Sequence, residues 1–114
     1  MRAKKRRGLL PSKRAREQAA AMPARREQLA EFPFCEPKRA GMARECFGRQ
    51  TVHEPWTRGR GGPLGDRRNM ITACVRHNEE LQQALDGIEF GYANGYLVRR
   101  AEGPAWLEAG GFKR

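Results

Sequence analysis

Four residues of this sequence have the types of a structural metal site, although the gap between the first two is wider than the two to four residues that are usual. Cys35 and Cys46 are separated by ten residues, and Cys74 with His77 forms a C-x2-H pair. Three thiolates and one imidazole complete a tetrahedral zinc shell without water, as structural sites do. Because three cysteines cannot all pair in disulfides, metal ligation is the preferred interpretation. The alternative is three unrelated thiols with a histidine on a helix face.

A second group of residues could hold a hard divalent ion. His53 and Glu54 lie in "TVHEP", and Asn78 lies further along the chain. Imidazole and amide ligands leave coordination positions for water and a phosphate oxygen, as phosphodiester hydrolysis requires. Arg58 and Arg60 lie in "TRGRGG", where glycine lets the backbone approach a phosphate. The alternative is a basic turn beside a lone strand histidine.

The elements that must position these residues can be predicted in outline. "TVHEP" is predicted to be a short strand because β-branched residues lead into His53. "TRGRGGPLGD" is predicted to be a loop because glycine and proline disfavour regular structure. From Asn69 to Gly87 the apolar residues fall at roughly helical spacing, which predicts a helix. The expected core is therefore a strand, a loop and a helix.

The two ends of the chain differ from this core. Residues 1 to 28 hold ten basic and two acidic residues and predict a flexible basic arm, either a solvated tail or an arm that follows phosphates. Within it, "SKRAREQAAAM" predicts a short helix that Ser12 caps and Pro23 ends. Residues 87 to 114 are rich in glycine and are expected to fold back over the metal core.

Composition narrows the class of partner. Lys and Arg number 23 against 13 Asp and Glu, a formal net charge of +10, which indicates a polyanion such as DNA. No stretch approaches about 18 consecutive apolar residues, so we expect no membrane span, and no apolar run follows the basic start, so we expect a soluble, intracellular protein. With 114 residues, 39% of them hydrophobic, one small domain needs a second source of stability.

Taken in order, Cys35, Cys46, "VHEPWTRGRGG" and "DRRNMITACVRHN" resemble the HNH endonucleases, in particular the small zinc-containing members encoded by bacteriophages and prophages. The resemblance covers roughly residues 29 to 85. It implies a small α+β protein with a ββα-metal fold, in which a two-stranded hairpin and a helix clasp a divalent ion beside a zinc knuckle. The expected domain covers residues 29 to 86.

The resemblance also implies roles for single residues. His53 takes the first position of a metal-binding pair, and Asn78 takes the last motif position as the second ligand. Asn69 corresponds to an asparagine that orients the loop through backbone hydrogen bonds. Glu54 stands where the family has its general-base histidine. With an ordinary pKa of about 4.3, Glu54 is a weak base unless its environment raises that pKa, or it is a third oxygen ligand. The zinc ligands are Cys35, Cys46, Cys74 and His77.

The predicted function is metal-dependent hydrolysis of DNA phosphodiester bonds, by nicking or by double-strand cleavage. The expected cofactors are a structural zinc ion and a catalytic magnesium, manganese, nickel or zinc ion. DNA is the expected partner, with phage packaging or replication proteins as further candidates, in the cytoplasm of a bacterial host. One alternative is a non-catalytic, zinc-stabilised nucleic-acid-binding module with a degenerate motif, and another is a zinc-held protein that associates with RNA.

Overall fold

The computed structural model describes residues 10 to 114, which form a small α+β structure. The α+β class predicted from the sequence is confirmed. The helices are α1 (Lys13–Glu31), α2 (Glu36–Arg39), α3 (Val75–Gln83), α4 (Leu85–Asn94) and α5 (Gly103–Glu108), the strands are β1 (Gln50–His53) and β2 (Ile71–Cys74), and short 3-10 turns cover Arg58–Arg60, Arg67–Asn69 and Arg100–Glu102.

The centre of the fold is a strand, a loop, a second strand and a helix. β1 and β2 pair antiparallel, with Gln50 opposite Cys74 and His53 opposite Ile71. The helix predicted from Asn69 to Gly87 was wrong at both ends, because residues 71 to 74 form β2 and Gly87 lies inside the next helix, α4. All four residues of β2 are buried, and a short apolar run that is buried all round has no periodicity that separates strand from helix. Pairing with β1 decides the outcome.

The N-terminal helix α1 was only partly predicted. Ser12 caps it, with its side-chain oxygen accepting a hydrogen bond from the backbone N–H of Ala15 at 3.1 Å. Pro23 does not end it, and the helix continues to Glu31. Proline removes one N–H donor from a helix interior and disfavours it, so other contacts must hold the second half of α1 in place.

Those contacts come from the sheet. Gln28 is fully buried and its side-chain amide donates to the hydroxyl of Thr72 on β2 at 3.1 Å. Ala21 is buried as well. The expectation of a flexible arm is therefore corrected for residues 13 to 28, which belong to a packed helix. Residues 1 to 9 of that expected arm lie outside the described residues.

The chain after α3 packs back on the centre of the fold. Helix α4 lies against α3 so closely that a Cβ atom on Gly91 would come within 3.0 Å of Leu81. Tyr96 stacks on Phe112 with ring centroids 5.0 Å apart. The hydrophobic core joins this segment to the cysteine region through Cys35, Met42, Ile71, Ala73, Cys74, Leu81 and Tyr96. Among residues 10 to 114, none of the helices has the length and apolar character needed to span a bilayer.

Candidate metal centre and adjoining cleft

The structure brings the four predicted zinc ligands together. The Nδ1 atom of His77 lies between 3.2 and 3.7 Å from the three cysteine sulfurs. Zinc bonds of about 2.3 Å to sulfur and about 2.0 Å to nitrogen in a tetrahedron place N and S about 3.5 Å apart. The cluster is thus compatible with a structural zinc ion. The ligand atoms of Cys35, Cys46, Cys74 and His77 all lie within 4.8 Å of one another.

The four candidate ligands lie at the ends of short helices and strands or in the loop between them. Cys35 is the N-cap residue of α2, and Cys46 lies in the loop before β1. Cys74 ends β2 and is also the N-cap of α3, where its sulfur accepts a hydrogen bond from the backbone N–H of His77 at 3.4 Å. The strand end and the first helical turn therefore carry two ligands whose donor atoms converge. The gap between Cys35 and Cys46 is bridged by α2 and a loop.

The imidazole of His77 has a second set of partners that the sequence did not indicate. Its Nε2 lies 2.9 Å from the carbonyl oxygen of Ala43 and 3.1 Å from that of Arg44. Because a carbonyl only accepts, Nε2 carries the proton and donates it, which leaves the lone pair of Nδ1 facing the sulfurs. Zinc-binding histidines usually have such a partner. Arg44 has a positive φ of 76°, uncommon outside glycine, at this turn.

A bound cation would have to displace protons from these thiols. Burial raises the pKa of Cys35 and also that of Cys46, the latter to about 12. At Cys74 burial acts in the same direction, but backbone hydrogen bonds from His77 and Phe47 lower the pKa to about 7. Several thiolates in one buried cluster repel each other, so full ionisation requires a positive ion. Metal binding would then release protons.

A separate cleft of about 270 Å³ has His53, Glu54, Arg58 and Asn78 among its lining residues. These four residues come from β1, the loop after it and α3. All four were predicted from the sequence as candidates for catalysis, metal binding or phosphate contact. The structure therefore brings this predicted group together, in a different place from the cysteine cluster.

His53 is buried and held in one orientation. Its Nε2 lies 2.7 Å from the carbonyl oxygen of Tyr96, so Nε2 is the protonated nitrogen and Nδ1 keeps its lone pair. Burial lowers the pKa of His53 to about 4, against weaker opposing hydrogen bonds. At neutral pH the imidazole is uncharged, which is the form that binds metal ions.

Asn78 is fixed on the facing helix. Its side-chain N–H group donates to the hydroxyl of Thr51 at 2.8 Å. Its side-chain oxygen accepts a hydrogen bond from the amide of Gln82 at 2.9 Å. Because Gln82 is exposed and an amide oxygen has two lone pairs, the oxygen of Asn78 remains able to bind a ligand in the cleft.

Glu54 lies deeper than its place in a loop suggests. Its side chain is 15% exposed, and one carboxylate oxygen lies 3.0 Å from a guanidinium nitrogen of Arg25 on α1. Burial raises the pKa of Glu54, while the charge of Arg25 acts in the opposite direction. A raised pKa is the condition under which this carboxylate becomes a better base near neutral pH.

Asn69 bridges two parts of the loop and does not line the cleft. Its side-chain oxygen accepts from the backbone N–H of Trp56 at 2.9 Å. Its side-chain N–H group donates to the carbonyl oxygens of Trp56 at 2.8 Å and Pro63 at 3.0 Å. Asn69 is completely buried. These are backbone contacts of the kind that the resemblance implied, whereas a role for Asn69 in catalysis stays a prediction.

The structure separates the two loop arginines that were predicted to bind phosphate together. They lie two positions apart on the 3-10 turn Arg58–Arg60. A 3-10 helix has three residues per turn, so side chains at positions i and i+2 point in different directions. Arg58 lines the cleft with His53, whereas Arg60 lines another cleft with Leu81 and Leu97.

Three cleft residues that come from α1 were not predicted from the sequence. Arg14, Gln18 and Arg25 on α1 line the same wall. The signal was present as a run of basic residues, but an unpacked arm offers no reason to place any one of them. Comparison with protein-family models, with curated proteins and with solved structures finds no match. The functional argument therefore depends on the residues and their geometry.

Proposed function

We propose that this protein is a metal-dependent endonuclease of the HNH type that hydrolyses DNA phosphodiester bonds. The observation that carries the proposal is the meeting of an uncharged His53, the partly buried Glu54 and Asn78 in one cleft. A net charge of +10 supports a polyanionic substrate. The compatible cysteine and histidine cluster and the order of motifs along the chain support the HNH assignment.

Two side chains of the cleft would hold the catalytic ion. His53 offers the Nδ1 lone pair, since its Nε2 is engaged by the carbonyl oxygen of Tyr96. Asn78 on α3 offers its amide oxygen, which accepts one hydrogen bond from Gln82 and keeps a second lone pair. A divalent ion at such a site supplies charge stabilisation to phosphate oxygens and lowers the pKa of water. The fixed orientations of both side chains reduce the reorganisation that binding requires.

The remaining cleft residues act on water and phosphate. Glu54 accepts the proton of the attacking water, and its raised pKa suits that task. Arg58 contacts a phosphate oxygen with its planar guanidinium group. The hydrogen bonds of Asn69 to Trp56 and Pro63 fix the conformation of the loop between β1 and β2.

The cysteine cluster has a structural part in this proposal. His77 and Asn78 are consecutive residues in the first turn of α3. A zinc ion bound by His77 and the three thiolates would fix the start of α3, and with it the side chain of Asn78. The hydrophobic core is small, so this bond energy adds to the stability of the fold.

A plasmid-nicking assay tests the proposal. Zinc-loaded protein is incubated with supercoiled plasmid and added magnesium, manganese, nickel or zinc ions. We expect nicking by the wild type, and a loss of at least about 100-fold in His53→Ala and Glu54→Ala, because each removes a group that acts on the reaction. Gln83→Ala, an exposed change on the same helix as Asn78, is the matched control and should retain activity.

The alternative is a non-catalytic, zinc-stabilised DNA-binding module. It is favoured by one observation, the ion pair that joins Glu54 to Arg25 in the position of a general base. In that case no added metal ion produces nicks, while salt-dependent binding to DNA persists. This outcome would replace the endonuclease proposal.

A further inference from the structure

Helix α1 forms a wall that continues beyond the candidate catalytic cleft. A second cleft, of about 590 Å³, adjoins the first and is lined by Lys13 and Glu17 of α1 and by Arg58 and Leu64 of the loop after β1. Arg58 and Leu64 also line the first cleft. The two clefts thus share one rim, and α1 borders both.

Arg58, which lines both clefts, forms an ion pair with Glu17 of α1. One carboxylate oxygen of Glu17 lies 2.8 Å from Nε and 2.6 Å from Nη2 of Arg58. This two-nitrogen contact with a single oxygen is also available to a phosphate oxygen. Both side chains are more than a third exposed, so water screens the pair and its contribution to stability is small. A phosphate can replace the carboxylate at little cost.

The charges around Glu17 favour that replacement. Lys13 lines the second cleft and Arg14 lines the first, so basic groups flank the Glu17–Arg58 pair from α1. Both are exposed. Release of Glu17 would leave Arg58 available to a ligand, together with Lys13 and Arg14 at the two clefts.

We propose that α1 and the loop after β1 form a binding site for the DNA backbone beside the catalytic cleft, with Lys13, Arg14 and Arg58 as phosphate contacts. Glu17 holds Arg58 until a phosphate displaces it. The identity of the ligand as DNA depends on the proposed function. Such contacts position a strand without reading its bases.

The first test compares two substitutions in α1 that each remove one negative charge. Binding of a fluorescent DNA duplex is followed by anisotropy at several salt concentrations, with zinc-loaded protein and no other divalent ion. We expect Glu17→Gln to tighten binding about fivefold, since Arg58 becomes free for phosphate. Glu27→Gln, which removes an exposed carboxylate paired with Arg67 instead, should change binding less than about twofold. Equal effects of the two changes would assign the result to overall charge and overturn the proposal.

The second test removes a proposed contact. Arg14→Gln should weaken binding about fivefold and lower the magnitude of the salt slope by about one, as expected for one lost phosphate contact. Arg26→Gln, an exposed arginine of α1 outside the lining of either cleft, is the control. If Arg14→Gln and Arg26→Gln weaken binding equally, the site on α1 is refuted. Binding does not require cleavage, so a protein that never nicks DNA can still pass both tests, and an active nuclease can fail them.

Discussion

The Nε2 atom of His53 lies 2.7 Å from the carbonyl oxygen of Tyr96, which connects β1 to the segment after α4. This contact fixes the proton on Nε2 and leaves Nδ1 with its lone pair, while His53 and Asn78 line the same cleft. Burial of His53 further disfavours the charged imidazole. The orientation and the charge of His53 are therefore both set before any ligand arrives.

The first prediction concerns stability against pH. The pKa of His53 is about 4 in the folded protein and 6.5 in its ordinary state, so the unfolded chain binds the proton more readily. The stability that the neutral imidazole contributes is present above pH 6.5 and is lost as pH falls toward 4. At pH 5 the expected loss is about 2 kcal/mol.

Urea unfolding at pH 7 and pH 5 measures this loss. In His53→Gln, which keeps a donor for the Tyr96 carbonyl and has no titrating group, the part of the loss due to His53 should vanish. Loss of metal from the cysteine cluster affects both proteins equally. Identical pH dependence in the two proteins would contradict the prediction.

The second prediction separates the cysteine cluster from the cation site proposed in the cleft. Cys74→Ser and His77→Ala should each reduce bound zinc from about one to below about 0.5 ion per chain and should destabilise the fold, because each removes one of four ligands. Asn78→Ala follows His77 directly but faces the cleft, and it should retain the zinc ion. Elemental analysis of the purified proteins gives the stoichiometry. Full zinc content in Cys74→Ser would exclude the four-ligand site.

The third prediction concerns the loop. Asn69→Ala removes three hydrogen bonds, to the N–H and carbonyl of Trp56 and to the carbonyl of Pro63, and leaves those groups without their partner in a buried place. We expect a loss of about 2–4 kcal/mol in the free energy of unfolding. Denaturant unfolding followed by tryptophan fluorescence measures it. A loss below about 1 kcal/mol would contradict this role of Asn69.

The fourth prediction concerns Arg114. Its guanidinium contacts both carboxylate oxygens of the buried Glu36, at 2.8 and 3.1 Å, and lies over the ring of Phe32 at 3.8 Å. Arg114→Ala leaves that carboxylate with fewer partners and should cost about 2 kcal/mol. The neighbouring exposed residue supplies the control, because Lys113→Ala should cost less than about 0.5 kcal/mol. Thermal unfolding compares the two, and equal melting temperatures would exclude the role of Arg114.

The cysteine cluster could be predicted because ligand types and local spacing carry the information. Cys74 and His77 sit within one helical turn, and no distant contact is needed to see that they can converge. Strand β2 was harder, since its run of buried residues acquires its conformation from pairing with β1. Local periodicity does not report that pairing.

The α1 side of the cleft could not be predicted from the sequence for a different reason. Pro23 and the surplus of basic residues both argue locally against a packed helix. The helix nevertheless packs on the sheet, because Gln28 is buried against Thr72, 44 residues later in the chain. Arg14 and Arg25 acquire their places in the cleft through long-range contacts such as this one and the ion pair of Arg25 with Glu54, which also explains why they were missed.

The adjacency of His77 and Asn78 on α3 links the cysteine cluster to the cleft. A zinc ion bound by the cluster, as proposed, would tie down the helical turn from which Asn78 reaches the cleft. Oxidation of the exposed Cys46 would then loosen that turn and the side chain of Asn78 from a distance, without touching any residue inside the cleft.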